Sequence, residues 1–138
     1  MSLRRVLVVD DEPRILDIVK YFLEQGGYEV ETAAGSEKAT AAARRKPFDV
    51  AVLDIVLVGE SGYDVAGKLK KIKSADRMPV LFMSSKVEMA DLFLENFDGR
   101  AEFLLKPFKK EALLETVKTL ISGGGREAHR VAERSRKK

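Results

Sequence analysis

The stretch from Phe48 to Gly62, FDVAVLDIVLVGESG, decides the fold because it joins an apolar run, a carboxylate and a turn. The four small or branched apolar residues at 50–53 predict a strand that is buried on both faces. Asp54 follows where this strand leaves the sheet, and Gly59 and Gly62 break the chain into a loop. Since α/β sheets bind ligands at the carboxyl ends of their strands, Asp54 is a candidate functional residue.

Other apolar runs and helical patterns alternate along the rest of the chain. The predicted strands cover residues 4–9, 28–32, 50–53, 80–83 and 101–105. The predicted helices cover residues 12–25, 37–45, 63–72, 87–97 and 108–121. Asp11 or Glu12 is expected to cap the first helix, and Ser36 the second. Five strands that alternate with five helices through short linkers predict an α/β fold, with a doubly wound five-stranded parallel sheet.

Length and composition limit the classes of function. A chain of 138 residues can form one domain with a single core, and apolar and charged fractions of 45% and 34% are ordinary for soluble proteins. The absence of cysteine excludes disulfides and thiolate sites, and the one histidine, His129, lies in a polar tail. We find no signal peptide and no apolar stretch that approaches the roughly 20 residues of a membrane span, so we expect a cytoplasmic protein.

The charge is concentrated at the C-terminus. The net charge is +3, but residues 126–138 contain six of the 25 basic residues and two of the 22 acidic ones, which leaves −1 for residues 1–125. We expect a domain at 1–121 followed by a flexible basic tail or linker at 122–138. Residues 122–125 are expected to form a flexible hinge at the start of that tail. The tail either is a disordered, solubilising end or attaches to nucleic acid through its basic residues, Arg126, Arg130, Arg134, Arg136, Lys137 and Lys138.

Polar residues follow four of the five predicted strands. They are Asp10 and Asp11 after the first strand, Asp54 after the third, Ser84 after the fourth and Lys106 after the fifth. Singly, each has an ordinary explanation as a helix cap, a turn residue or a solvated charge. Because the ends of parallel strands meet at one edge of the sheet, we expect them to be neighbours. Three adjacent carboxylates repel one another unless a cation is present, and oxygen ligands without cysteine or nearby histidine favour Mg²⁺.

This set of groups suits phosphoryl transfer. Mg²⁺ held by one or two carboxylates keeps positions open for phosphate oxygens. Asp54 is a plausible nucleophile, since aspartyl phosphates are known covalent intermediates. Lys106 and Ser84 would stabilise the remaining phosphoryl oxygens, one as a charge and one as a hydrogen-bond donor.

The motifs together resemble the receiver domain of two-component response regulators, a CheY-like, flavodoxin-like (βα)5 fold. The resemblance covers about residues 4–121. It rests on VLVVDDEP with its acidic pair, on Asp54 with Gly62 eight positions later, on Ser84 after VLFM, and on KPF at Lys106. It implies the strand order 2-1-3-4-5. It also implies that the chain catalyses only its own phosphorylation and dephosphorylation and is otherwise not an enzyme.

The resemblance assigns roles to individual residues. Asp54 would accept a phosphoryl group from a sensor histidine kinase, a histidine phosphotransfer protein or a small phosphodonor. Asp11, Asp54 and the backbone carbonyl of Val56 would bind Mg²⁺ directly, with Asp10 acting mainly through water. Lys106 would pair with the phosphoryl group.

A conformational switch is also implied by the resemblance. Ser84 would swing toward the phosphoryl group and Phe103 would fill the vacated space. The face formed by the fourth helix, fifth strand and fifth helix would then change and be read by a downstream partner. The protein would be a monomer or a phosphorylation-dependent dimer, with no membrane partner, and with nucleic acid reached only through the tail or an output domain.

Several positions depart from the family pattern. Val58 stands where proline is usual, Ser84 where threonine is commoner, and Phe103 has no hydroxyl group. Val56 cannot orient an attacking water and Lys86 could shield the phosphoryl group, so we expect slow self-dephosphorylation.

Two other functions stay open at this point. One is a small Mg²⁺-dependent phosphatase acting on external substrates, which the apolar Val56 disfavours because a general acid would stand there. The other is a pseudo-receiver that binds partners without phosphorylation, and the complete set of site residues disfavours it.

Overall fold

The computed structural model describes residues 3–88, 97, 99–124 and, for the backbone alone, 126–127. Its strands are β1 (Arg5–Val9), β2 (Glu29–Ala33), β3 (Val50–Asp54), β4 (Val56–Leu57), β5 (Glu60–Ser61), β6 (Val80–Ser84), β7 (Arg100–Leu105) and β8 (Arg126–Glu127). Its α-helices are α1 (Pro13–Gln25), α2 (Ser36–Arg45), α3 (Gly62–Lys70) and α4 (Lys110–Ile121), with a 3₁₀ turn at Lys73–Ala75. The helix predicted at 87–97 lies largely outside the described residues.

The main sheet has the order β2-β1-β3-β6-β7-β8. Its first five strands are parallel and correspond to the five predicted strands, so the predicted doubly wound sheet with order 2-1-3-4-5 is confirmed. Since β1 and β3 lie in the middle of the sheet, they are apolar throughout apart from Arg5 and Asp54.

Alternate residues of the central strands supply two separate core layers. In β1, Leu7 and Val9 face the layer beneath α2 and α3, whereas Val6 and Val8 face the layer beneath α1 and α4. This alternation forces helices onto both faces, because neither face can be left in water. No helix within the described residues is long and apolar enough to cross a membrane.

Of the expected helix caps, Glu12 lies at the N-cap position of α1 but, within the described residues, its side chain makes no capping hydrogen bond, and Ser36 is wrong. The Asp11 carboxylate instead accepts a hydrogen bond from the Val58 amide. Ser36 is the first residue of α2, after Gly35, and its amide donates to the Glu60 carboxylate at 2.9 Å. Both helix starts are thus tied to the loop after β3, which is distant in sequence.

That loop forms a short antiparallel hairpin, which the sequence analysis did not predict. Val56 pairs with Ser61 and Leu57 with Glu60, and the turn between them contains Gly59 at φ +75°. Ser61 then caps α3 by a reciprocal pair of hydrogen bonds with Asp64.

The chain after α4 contacts the edge strand β7. The Arg100 guanidinium donates from Nη1 to the carbonyls of Leu120 (2.7 Å) and Gly124 (2.9 Å). The backbone of β8 then pairs antiparallel with β7. Arg100 thus pairs with a carbonyl left without a helical partner at the end of α4 and with one just beyond it. The flexible hinge at 122–125 stays a prediction. Residues 128–138 lie outside the described part of the chain.

Candidate functional site

The site lies at the carboxyl ends of four neighbouring parallel strands, β1, β3, β6 and β7. Asp54 and Ser84 are the last residues of β3 and β6, Asp10 follows β1, and Lys106 follows β7. Strand register brings them together, because Val9 pairs with Leu53, Asp54 with Met83, and Ser84 with Leu105. The backbone amide of Lys106 also donates to the Ser84 carbonyl at 2.8 Å. Residues up to 96 positions apart in sequence thus share one edge of the sheet.

Lys106 connects two of the carboxylates. Its Nζ lies 3.2 Å from Asp10 Oδ2 and 3.4 Å from Asp54 Oδ1. Asp10 is only 1% exposed, and its two carboxylate oxygens are paired with this ammonium and with the Glu12 amide, which donates to Oδ1 at 2.9 Å. One cation therefore faces two nearly buried carboxylates.

Asp11 completes an acidic cluster. One carboxylate oxygen from each of Asp10, Asp11 and Asp54 lies within 4.8 Å of the other two. Counted over the part of the chain that the structure describes, Lys106 sets one positive charge against three negative ones, which leaves excess negative charge in a partly buried place. Hard oxygen donors at this spacing suit a divalent cation such as Mg²⁺. These residues fit the predicted metal.

The ionisation of Asp54 reflects the same geometry. Burial raises the pKa of its carboxyl above the ordinary value, the Lys106 ammonium opposes that rise, and the charge of Asp10 adds to it. The backbone amide of Val56 donates to the Asp54 carboxylate and also favours the ionised form. The burial cost outweighs these partners, so the carboxylate is less stable here than in water and gains from an added positive charge.

Gly62 fixes the backbone next to Asp54. Its amide donates to the Ile55 carbonyl at 2.8 Å, and the Ile55 amide donates to the Met83 carbonyl at 2.9 Å. A Cβ atom at Gly62 would lie 3.0 Å from both the Asp54 carbonyl carbon and Ile55 Cα, and closer still to the Asp54 carbonyl oxygen. Only a residue without a side chain lets α3 begin this close to the candidate phosphoacceptor.

The two predicted switch residues lie on neighbouring strands. Ser84 is 2% exposed, and its Oγ accepts a hydrogen bond from the Lys86 amide at 3.0 Å. Phe103 is half-buried, pairs with Phe82 across the strands, and packs against the core layer beneath α2 and α3. Both predicted tuning residues have exposed side chains, Val56 and Lys86. Their effect on a phosphoryl group stays a prediction.

Sequence reasoning missed two features next to the site. The first is the main chain of the β4–β5 turn, where the Val58 amide donates to the Asp11 carboxylate. The pattern of side chains in a sequence does not indicate which backbone amide will act as a donor. The second is an apolar groove of about 440 Å³ between α1 and the segment after β7. Ile18 exposes 48% of its surface there. The lining residues are Ile15, Ile18, Val19, Phe22, Ser85, Lys106, Pro107 and Phe108.

The comparisons with known proteins agree with one another. The family model for the response regulator receiver domain matches residues 6–118. TcrX, a probable transcriptional regulatory protein of Mycobacterium tuberculosis, is 36% identical over 120 residues, which cover 87% of this chain and 50% of TcrX. Protein PilH of Pseudomonas aeruginosa is 30% identical over 119 residues, covering 86% of this chain and 98% of PilH. The chain thus spans about half the length of the first relative and nearly all of the second.

One similar solved structure is a complex with a metal ion. The response regulator TrrA from Thermotoga maritima, in complex with Mg²⁺ and BeF, superposes with a TM-score of 0.73 at 34% identity, covering 86% of this chain and 99% of TrrA.

Proposed function

The chain belongs to the response regulator receiver domain family, and from this premise we propose that Asp54 accepts a phosphoryl group in a Mg²⁺-dependent reaction. The donor is a phosphohistidine on a sensor histidine kinase or histidine phosphotransfer protein, or a small phosphodonor. The proposal assigns the receiver domain to 1–121 and includes the cytoplasmic location that the sequence predicts. It is carried by the Lys106 ammonium, which lies within 3.4 Å of Asp54 beside the three-carboxylate cluster.

The metal would be held by Asp11, Asp54 and the backbone carbonyl of Val56, with Asp10 acting through water. When bound, Mg²⁺ would offset the negative charge of the carboxylates and of the incoming phosphoryl oxygens. The acidic cluster supports this ligand set because its three carboxylate oxygens already converge, and among the described residues Lys106 is the cation that forms ion pairs with two of the carboxylates.

The chemical step is an in-line displacement at phosphorus. A carboxylate oxygen of Asp54 forms the new P–O bond while the P–N bond to the donor histidine breaks, and the imidazole leaves with the bonding electron pair. Lys106 pairs with a phosphoryl oxygen, since its Nζ already lies beside Asp54 Oδ1. The Ser84 hydroxyl donates to another. Ionisation of Asp54 is needed for attack, and both Lys106 and the Val56 amide favour it.

The structural switch begins at Ser84. The Ser84 side chain rotates toward the phosphoryl group and gives up the hydrogen bond that its Oγ now accepts from the Lys86 amide at 3.0 Å. Phe103 then moves into the vacated space, and the face that includes β7 and α4 changes for a downstream protein partner. Phosphorylation thereby biases an equilibrium between two packings of the same strands.

The apolar groove beside α1 supports a protein phosphodonor. Lys106 both lines this groove and lies 3.4 Å from Asp54, so a partner seated there would present its phosphohistidine next to the acceptor. The partner would cover half-exposed apolar side chains such as Ile18, and burial of this apolar surface would stabilise the complex.

The proposed phosphoryl lifetime is long. Val56 supplies no polar group to orient a hydrolytic water, and Lys86 lies next to Ser84 at the same edge. Decay of radiolabelled phosphoprotein after donor removal measures this directly. Val56→Asn and Lys86→Glu should each decay faster than the wild type, and a wild type that decays within seconds would contradict the proposal.

The test of the proposed function is incubation with Mg²⁺ and acetyl phosphate, followed by intact mass measurement. The expected result is a single phosphate adduct that requires the metal and is absent in Asp54→Asn. Lys106→Met should also reduce it while leaving Mg²⁺ binding measurable. Adduct formation in Asp54→Asn at the wild-type level would place the phosphoacceptor elsewhere and overturn the assignment.

A further inference from the structure

The backbone of the β4–β5 turn contacts a proposed metal ligand. The amide of Val58 donates a hydrogen bond of 2.5 Å to Asp11 Oδ2, across 47 residues of sequence. The Val58 side chain is 87% exposed, so packing of its isopropyl group does not explain its position. What this residue contributes to the site is its N–H group.

The turn geometry makes this donor a property of this particular chain. Val58 and Gly59 are the two central residues of the turn, with Gly59 at φ +75° and Val58 outside the positive-φ region. A turn with positive φ at its second central residue also accepts proline at the first, and proline has no N–H. A residue other than proline at position 58 is therefore what gives Asp11 this main-chain partner.

A hydrogen bond and a cation both draw on the negative charge of the same carboxylate. The Asp11 carboxylate faces Asp10 and Asp54 within 4.8 Å, and a charge-assisted N–H donor relieves part of its negative charge. A divalent cation in the cluster is attracted by the same negative charge and needs carboxylate oxygens turned toward it, whereas the turn holds Asp11 Oδ2 toward Val58.

We propose that the Val58 amide is a built-in competitor of the divalent cation for the Asp11 carboxylate, so that the β4–β5 hairpin lowers metal affinity and is released when metal binds. This inference rests on the proposed metal site at Asp10, Asp11 and Asp54. It adds a residue-specific control of how much Mg²⁺ the protein needs before phosphorylation can begin.

The experiment compares Val58→Pro with Val58→Ala. Proline removes the N–H, and Leu57 before it is already in the extended conformation that proline requires of its neighbour. Alanine keeps the N–H and removes only exposed apolar surface. Isothermal titration of the metal-free proteins with MgCl₂ should show Val58→Pro binding about three- to tenfold more tightly than wild type, as expected for loss of one partly solvated hydrogen bond to a charged group. Val58→Ala should bind like wild type.

A second measurement does not depend on the folding of a variant. Amide exchange of Val58, followed by NMR in the wild-type protein, should be slow without metal and become faster as MgCl₂ is added. Exchange that is unchanged or slower with Mg²⁺ would overturn the inference, as would Val58→Pro that binds no more tightly than Val58→Ala.

The outcomes separate this inference from the proposed function. Equal Mg²⁺ affinity in all three proteins, together with a metal-dependent phosphate adduct on Asp54, rejects only the proposed role of Val58 and leaves the proposed function standing. A wild-type protein that binds no Mg²⁺ and forms no adduct rejects both.

Discussion

Replacing Gly62 by alanine should lower the stability of the fold and displace Asp54, because the new side chain meets the backbone beside it. The added Cβ would lie 3.0 Å from the Asp54 carbonyl carbon and from Ile55 Cα, where 3.4–4 Å is ordinary contact. These atoms are backbone, so they cannot rotate away as a flexible side chain would. Gly62 is not among the glycines with positive φ, so alanine meets a clash there and no forbidden conformation.

The expected cost follows from that clash. Forcing one extra carbon into a packed site costs about 1–3 kcal/mol. Alanine recovers part of this through its better helix propensity, which is worth at most about 1 kcal/mol and less at the first residue of a helix. We therefore expect a net loss of about 1–2 kcal/mol in the free energy of unfolding, or roughly 3–8 °C in Tm for a domain of this size.

A matched control lies in the same helix. Gly67 is exposed in the middle of α3, and a Cβ there would meet nothing within 4 Å. Gly67→Ala should raise stability by about 0.5–1 kcal/mol, since it removes backbone freedom from the unfolded chain. The two substitutions are chemically identical and should have opposite signs.

The assays are urea unfolding and the rate of phosphorylation by acetyl phosphate under conditions where both variants are folded. Because the Gly62 clash displaces Asp54 itself, we expect at least a roughly tenfold slower phosphorylation of Gly62→Ala, as small misplacements of a nucleophile can cost about a hundredfold. Gly67→Ala should react like wild type. Equal stability of the two variants would refute the reasoning, and so would an unchanged phosphorylation rate in Gly62→Ala.

Three further outcomes are expected. Burial raises the pKa of Asp54, so its ionised form lowers the stability of the fold at neutral pH, and this cost fades as pH falls below the native pKa. Metal-free Asp54→Asn should therefore be more stable than wild type at pH 7 by about 1 kcal/mol in urea unfolding. A less stable variant would contradict this. The Ser36 amide, followed by Lys68, lowers the pKa of Glu60, so the stability that Glu60 contributes is complete above its ordinary pKa of 4.5 and is lost as pH falls through the lower folded value. Glu60→Gln should therefore make Tm fall less steeply at acid pH than in the wild type. An equally steep fall would count against the contact. Ile18→Lys should change unfolding stability by less than about 0.5 kcal/mol and leave acetyl phosphate reactivity intact while slowing transfer from a histidine phosphotransfer protein; equal slowing with both donors would remove the groove from the proposal.

The sequence by itself determined the architecture and the membership of the site. Apolar runs such as 50–53 are too hydrophobic to lie at a surface, and five of them separated by helical patterns leave few topologies besides a doubly wound parallel sheet. Since parallel strands end at one edge, Asp10, Asp54, Ser84 and Lys106 could be grouped from sequence alone.

Tertiary structure alone decided the backbone contacts around those residues. The Val58 amide at Asp11, the Glu60 carboxylate at the start of α2, and the Arg100 guanidinium at the end of α4 all satisfy main-chain groups from distant segments. Every residue other than proline carries the same N–H and C=O, so no pattern of side chains reveals which of them will meet. Local capping rules therefore misassigned Ser36 and could not choose between Asp11 and Glu12, and only the folded chain shows which distant groups Asp11 and Ser36 contact.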